Sequence, residues 1–262
     1  MKLLNSALVT VPGGLVCRGE GIKRVAITIR YGLIHRPNGR VSLVDTGYGR
    51  AVTEGARSGA LRLYDFVLRP RLIPAALPAA ALAAAGATPG DVESIVLTHF
   101  HADHIAGLRD FPDARLVANG RAAASILGMS HNRALHNGVF KELLPADLSH
   151  RIAPVEQCAS RTVHPVLGSG HDVFGDGSYW AVPLPGHALG HFGLYWDAPE
   201  GPTLYATDAA WTTRALRDNR TPMLSRRVVF DDCGAGTRTE EKLRQFIREG
   251  GTVHLCHDLE TV

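Results

Sequence analysis

Thr98-His99-Phe100-His101-Ala102-Asp103-His104 closes the run Ser94 to Thr98 (SIVLT), which reads as a short buried strand. In an extended segment alternate side chains share a side, so His99 and His101 can grip one ion together. A turn after them lets Asp103 and His104 face a second position. Imidazole with carboxylate suits zinc, and also iron or manganese. The bland alternative is a polar loop with accidental histidines. Four potential ligands within six residues, at the end of a buried strand, weigh against it.

Further candidate ligands fall downstream, again at strand ends. Pro185-Gly186-His187 follows an expected strand Tyr179 to Val182, Asp208 follows Thr203 to Ala206, and Cys256-His257-Asp258 ends Thr252 to Cys256. Taken singly each is weak, because a lone histidine after a strand is more often a surface or hydrogen-bonded residue. His191 reads as a loop residue beside the ligand loop, and Cys256 as a small apolar thiol turned into the core. His131 and His136 read as plain surface residues.

The rest of the chain alternates strands with helices. Val25 to Tyr31 and Arg40 to Val44 read as strands around the Pro37-Asn38-Gly39 turn, and the second runs into Asp45-Thr46-Gly47. Leu77 to Ala85 reads as a helix with Pro78 in its first turn and Gly86 at its end. A strand is expected at Arg115 to Ala118, a helix near Arg121 to Leu127, and a strand at Phe192 to Trp196. Thr239 to Glu249 is the clearest amphipathic helix. Residues 50–76 read as a loop with short helices, and 129–165 are poorly patterned. With no low-complexity linker and no short-period repeat, residues 1–262 are expected to form a single mixed α/β domain. One internal echo stands out: a strand followed by Asp, at Leu43-Val44-Asp45 and at Tyr205-Ala206-Thr207-Asp208.

Composition sets limits. In 262 residues, 28 Lys and Arg stand against 25 Asp and Glu, a surplus too small for a nucleic-acid footprint. The first residues are broken by Asn5 and Pro12-Gly13-Gly14 before they resemble a signal peptide, and no run approaches a membrane span. Four scattered cysteines without a CxxC pair suggest reduced thiols in the cytoplasm, with a mature periplasmic form left open.

Taken together, His99-x-His101-x-Asp103-His104, His187 in Pro-Gly-His-x-x-Gly-His, Asp208 and His257 resemble the metallo-β-lactamase superfamily, from about Leu43 to Asp258. Asp45-Thr46-Gly47 matches that family's first motif. Ala206-Thr207-Asp208-Ala209 and the His257-Asp258 ending look most like its quorum-quenching N-acyl homoserine lactonase branch. The resemblance implies an α/β fold, an αββα sandwich of the metallo-β-lactamase type, with the site on loops after strands. It implies two divalent metal ions per chain, zinc first, with iron, manganese or cobalt as alternatives. His99, His101 and His187 would hold one ion, Asp103, His104 and His257 the other, and Asp208 would bridge them. Asp45 would orient the ligand loop without touching metal.

The implied reaction is hydrolysis of a lactone or related ester by attack of a metal-bridging hydroxide, with Asp103 and Asp208 as catalytic residues. The partner is then a small-molecule substrate, with no nucleic acid and no membrane, and a homodimer is left open. Glyoxalase-type thioester hydrolysis is the rival activity, and a metal-binding scaffold without turnover is the non-enzyme rival. Asp103-His104-Ile105-Ala106-Gly107 departs slightly from the Gly-Gly ending of the glyoxalase branch. One position departs from the lactonase pattern. Three residues after the bridging Asp those enzymes carry a Tyr that contacts the substrate carbonyl, and here Trp211 stands there. Indole supplies one N–H donor and no phenolic proton, so Trp211 is expected to wall the substrate pocket.

Overall fold

The computed structural model describes residues 1–258. Thirteen strands are defined there, β1 (Lys2–Pro12), β2 (Arg24–His35), β3 (Val41–Val44), β4 (Arg71–Leu72), β5 (Val92–Val96), β6 (Arg115–Ala118), β7 (Ile152–Pro154), β8 (Ser160–His164), β9 (Gly168–Asp172), β10 (Trp180–Pro183), β11 (Phe192–Ala198), β12 (Gly201–Thr207) and β13 (Thr252–Leu255). Between them lie α1 (Arg50–Thr53), α2 (Gly59–Leu68), α3 (Pro78–Ala84), α4 (Ala102–Ile105), α5 (Gly120–Gly128), α6 (His131–His136) and α7 (Leu148–Arg151), then α8 (Thr213–Arg217), α9 (Met223–Val229) and α10 (Cys233–Arg248). The chain divides into two compact units, Met1–Thr10 with Ala26–Ala153, and Val11–Val25 with the chain from Pro154 onward.

The N-terminal unit carries a seven-stranded sheet in the order β4-β1-β2-β3-β5-β6-β7. Its centre is parallel, since β5 runs alongside both β3 and β6. A parallel strand covered on both faces reads as a continuous apolar run, and Ile95 and Val96 are buried accordingly. The strand lies at Val92–Val96, two residues earlier than expected from sequence. Just beyond it Leu97 N still donates to Val117 O of β6 (2.8 Å), and the ladder stops at Thr98, whose N–H turns to the Asp45 carboxylate (2.9 Å).

Two stretches without clear pattern are built from short elements. In 50–76 they are α1, α2 and β4. Ser58 caps α2 by accepting from Leu61 N and also donates its own N–H to Glu142 (2.8 Å). Tyr64 packs on Phe140 with ring centroids 4.9 Å apart, so residues 50–76 and 129–165 hold each other. β1, eleven residues long, was hidden by the polar Asn5 and Ser6. Those side chains are satisfied inside the sheet, Asn5 accepting from Ile29 N (2.9 Å) and Ser6 donating to Ile29 O (3.0 Å).

The C-terminal unit carries a six-stranded sheet in the order β13-β12-β11-β10-β9-β8. Antiparallel β11 and β12 turn at Pro199-Glu200, and β13 returns parallel to β12. A hairpin turn at Phe174–Ser178 joins β9 to β10, with Asp172 accepting from the backbone N–H groups of Gly175 and Gly177 (2.9 and 2.8 Å). Leu243 and Phe246 of α10 pack on Tyr195, Leu204 and Val182, which fixes the helix against its own sheet. That helix starts at Cys233, six residues before its amphipathic pattern becomes legible. Gly234 and Gly236 dilute the pattern, and Asp232 supplies the start by accepting from Ala235 N (2.8 Å).

Among the described residues no helix is long and apolar enough to cross a membrane.

Candidate metal centre

The residues able to hold a metal are His99, His101, Asp103 and His104 in the N-terminal unit, and His187, Asp208, Cys256 and His257 in the C-terminal unit. The N-terminal set and Asp208 and His257 follow the C-terminal ends of parallel strands, whereas His187 follows the antiparallel strand β10.

In the N-terminal unit the ligand loop is built around Asp45, which is fully buried. Asp45 leaves β3 with φ +58, a conformation Asp tolerates, and its N–H donates to Val96 O (2.9 Å). Its carboxylate then accepts three times: from Thr98 N (2.9 Å), from Thr98 Oγ1 (2.8 Å) and from His104 Nδ1 (2.7 Å). A carboxylate only accepts, so His104 carries its proton on Nδ1 and Nε2 becomes the metal-donor atom. Thr46 completes the hold, because its N–H and its hydroxyl both donate to His104 O (2.9 Å each). Gly47, with φ +63, is the third part of the motif. A Cβ there would run into the Ser6 side chain, whose hydroxyl accepts from Tyr48 N.

The three imidazoles of this unit cluster. Ring centroids are 4.6 Å apart for His99 and His101, and 4.0 Å for His99 and His104. Asp103 Oδ2 lies 3.6 Å from His104 Nε2. His101 begins the four-residue helix α4 and backs onto Gly138, where a Cβ would come within 2.7 Å of its ring. The poorly patterned 129–165 stretch therefore shapes a ligand's seat.

In the C-terminal unit Asp208 is the centre. Its Oδ2 lies 3.3 Å from His187 Nε2 and 3.0 Å from His257 Nε2, so one oxygen faces two imidazoles. Thr207, just before it, has φ +46, and its carbonyl accepts from Cys256 N (3.0 Å), which ties the two ligand-bearing strand ends together. Thr207 Oγ1 also meets His191 Nε2 at 2.6 Å, while His191 Nδ1 donates to Leu184 O (2.9 Å). His191 is thus a buried strut of the His187 loop. His131 and His136 are exposed, as expected.

Trp211 sits beside this set, its ring centroid 6.1 Å from that of His257. Asp258 holds the two segments together by accepting from Thr213 N (3.2 Å) and Thr213 Oγ1 (2.6 Å). Cys256 is buried in the core as expected, yet it also belongs to the donor set. The sequence offered Asp258 only as part of the His257-Asp258 ending, because its hold on Thr213 spans 45 residues.

The donor chemistry fits divalent metal. Each set mixes imidazoles with a carboxylate, buried or half-buried, which is the coordination zinc and its first-row neighbours take.

The chain belongs to the metallo-beta-lactamase superfamily, whose family model matches residues 29–237. Among curated relatives, a probable metallo-hydrolase of Mycobacterium bovis is 31% identical over 86% of this chain, which spans 66% of that relative's length. An N-acyl homoserine lactonase, AttM of Azorhizobium caulinodans, is 26% identical over 94% of this chain and 90% of its own length. Of the solved structures, a Bacillus thuringiensis AiiA variant with N-decanoyl-L-homoserine at its active site superposes with a TM-score of 0.70, at 18% identity, over 98% of this chain and 92% of that one. The fold is therefore the metallo-β-lactamase fold.

Proposed function

We propose that the chain is a dinuclear metal-dependent hydrolase that opens a lactone, with N-acyl homoserine lactones as the substrate class. The observation that carries this reading is Asp208, whose single oxygen faces the Nε2 atoms of His187 and His257. It fits a carboxylate shared between two ions. The lactonase relatives supply the substrate class. We assign His99, His101 and His187 to one ion, Asp103, His104 and His257 to the other, and Asp208 to both, within one catalytic domain. Zinc is the assigned metal, on the imidazole and carboxylate donors, and the cytoplasm the assigned compartment.

When bound, two divalent ions lower the pKa of water toward neutrality and polarise the ester carbonyl. The chain's own groups do the rest. Asp45 keeps His104 in one tautomer, and Thr46 fixes the height of the α4 turn. Asp103 Oδ2 takes the proton of the attacking water and passes it to the ring oxygen as the acyl C–O bond breaks, giving a hydroxy acid. Trp211 walls the acyl side of the pocket.

The test is a substrate panel of lactones of varied acyl length against lactoylglutathione. Lactones are expected to win in kcat/KM. A glutathione thioester turned over at least about a hundredfold better, roughly 2.7 kcal/mol of transition-state discrimination, moves the chain to the glyoxalase-type class. Bound metal with no turnover on either would make it a scaffold.

A further inference from the structure

The His187 loop is gripped from behind. Three consecutive backbone carbonyls accept hydrogen bonds from the turn into α10 and its second helical turn. Pro185 O accepts from Thr239 Oγ1 (2.7 Å), Gly186 O from Asp232 N (3.0 Å) and His187 O from Asp231 N (3.2 Å). Gly186 lies at φ +132 with its Cα pressed on α10, where any Cβ would run into Gly236 Cα and N. The imidazole is held as well as the backbone. Phe230 meets the His187 ring edge-to-face, centroids 4.9 Å apart at 87°.

The grip is itself anchored. The Arg226 guanidinium sits 5.3 Å over the Phe230 ring and pairs with buried Glu240, which also accepts from Thr221 Oγ1 (2.8 Å). Arg226 Nη1 donates to Thr237 Oγ1 (2.9 Å). Arg226 and Glu240 are 3% and 2% exposed, so this pair is shielded from salt and water. A glycine with unusual φ would ordinarily leave a ligand loop soft. Here the softness is taken up by backbone hydrogen bonds, a hydroxyl and an aromatic ring from one rigid helix end.

We propose that residues 230–239 form a clamp that sets the direction of the His187 donor atom toward its metal, with Thr239 and Phe230 as positioning residues acting through His187. The proposal rests on His187 being a metal ligand. It extends to outer groups the rule that partners of a ligand orient it and tune its affinity.

The test is chelator competition for zinc, and the visible spectrum with cobalt(II) substituted, on the purified chain of 262 residues. Thr239→Val keeps the shape and removes the donor, while Thr239→Ser keeps the donor. Phe230→Leu removes the ring contact. His187→Ala reports on the underlying ligand assignment, and thermal unfolding of each metal-free variant reports on folding. We expect Thr239→Val and Phe230→Leu to weaken zinc binding by about tenfold or more and to change the cobalt bands. Thr239→Ser should stay within about threefold of the parent, by the same scale. If His187→Ala loses metal but Thr239→Val and Phe230→Leu bind zinc and display cobalt bands like the parent, the clamp is overturned while the ligand assignment stands. If His187→Ala binds metal like the parent, both fall. A Thr239→Val protein that loses metal only in proportion to lost thermal stability, with Thr239→Ser no better, also overturns the clamp.

Discussion

The two donor sets solve one problem in two ways. Each begins where a strand ends in a non-glycine residue of positive φ, Asp45 at +58 and Thr207 at +46. Each such residue reaches a buried histidine, His104 from Asp45 and His191 from Thr207. There the likeness stops. The N-terminal set is contiguous, four donors within six residues, fixed by one buried carboxylate that accepts three hydrogen bonds. The C-terminal set is gathered from residues 187, 208 and 257 and depends on struts outside the ligand segments, His191, Asp258 and the α10 end. Compact ligands can share one organiser, whereas dispersed ligands need one each.

That contrast predicts how each set breaks. The largest effect should come from the shared carboxylate. Asp208→Ala removes the oxygen that faces both His187 and His257, and steady-state kinetics should show a loss in kcat/KM of about a thousandfold or more, several kcal/mol of transition-state stabilisation. Asp45→Ala should follow. It strips three buried donors, Thr98 N, Thr98 Oγ1 and His104 Nδ1, of their shared acceptor, at about 1–3 kcal/mol for each one left unpaired. Thermal unfolding of the metal-free protein should register that loss, and metal affinity should drop about ten- to a hundredfold. Because one organiser serves the whole N-terminal set, Asp45→Ala should be worse than removal of any single C-terminal strut.

Legibility followed the same division. His99, His101, Asp103 and His104 were readable because they fall within six residues and follow a buried apolar run that lies between two parallel strands. Asp45-Thr46-Gly47 was readable as a motif, and its physical reason emerges only when Thr98 and His104 arrive from 53 and 59 residues away. The clamp on His187 was illegible, because Gly234 and Gly236 blur the start of α10 and Phe230 carries no local signal. The pocket-facing stretches stayed opaque for a related reason. Their elements are short and are pinned by long-range contacts such as Ser58 with Glu142 and Gly138 with His101, which no periodicity encodes.

Two smaller effects sharpen the comparison. Gly138→Ala would place a Cβ 2.7 Å from the His101 ring, at a backbone φ of +69. The left-handed conformation alone should cost about 1–2 kcal/mol in unfolding free energy, and the crowding should perturb only the N-terminal set. Trp211→Phe should keep kcat within about tenfold and mainly alter KM, whereas Trp211→Ala should weaken long-chain lactones more than short ones. A thousandfold fall in kcat at constant KM for Trp211→Phe would instead make the indole N–H a transition-state donor, an effect of about 4 kcal/mol.

On the function proposed above, both donor sets serve one two-metal hydrolytic centre, and metal stoichiometry is its sharpest check. Elemental analysis of purified protein should approach about two ions per chain, as a two-metal site requires. Asp208→Ala, measured in the same way, should lose much of the second ion together with nearly all turnover. Full occupancy and parental activity in Asp208→Ala would overturn the shared two-metal centre.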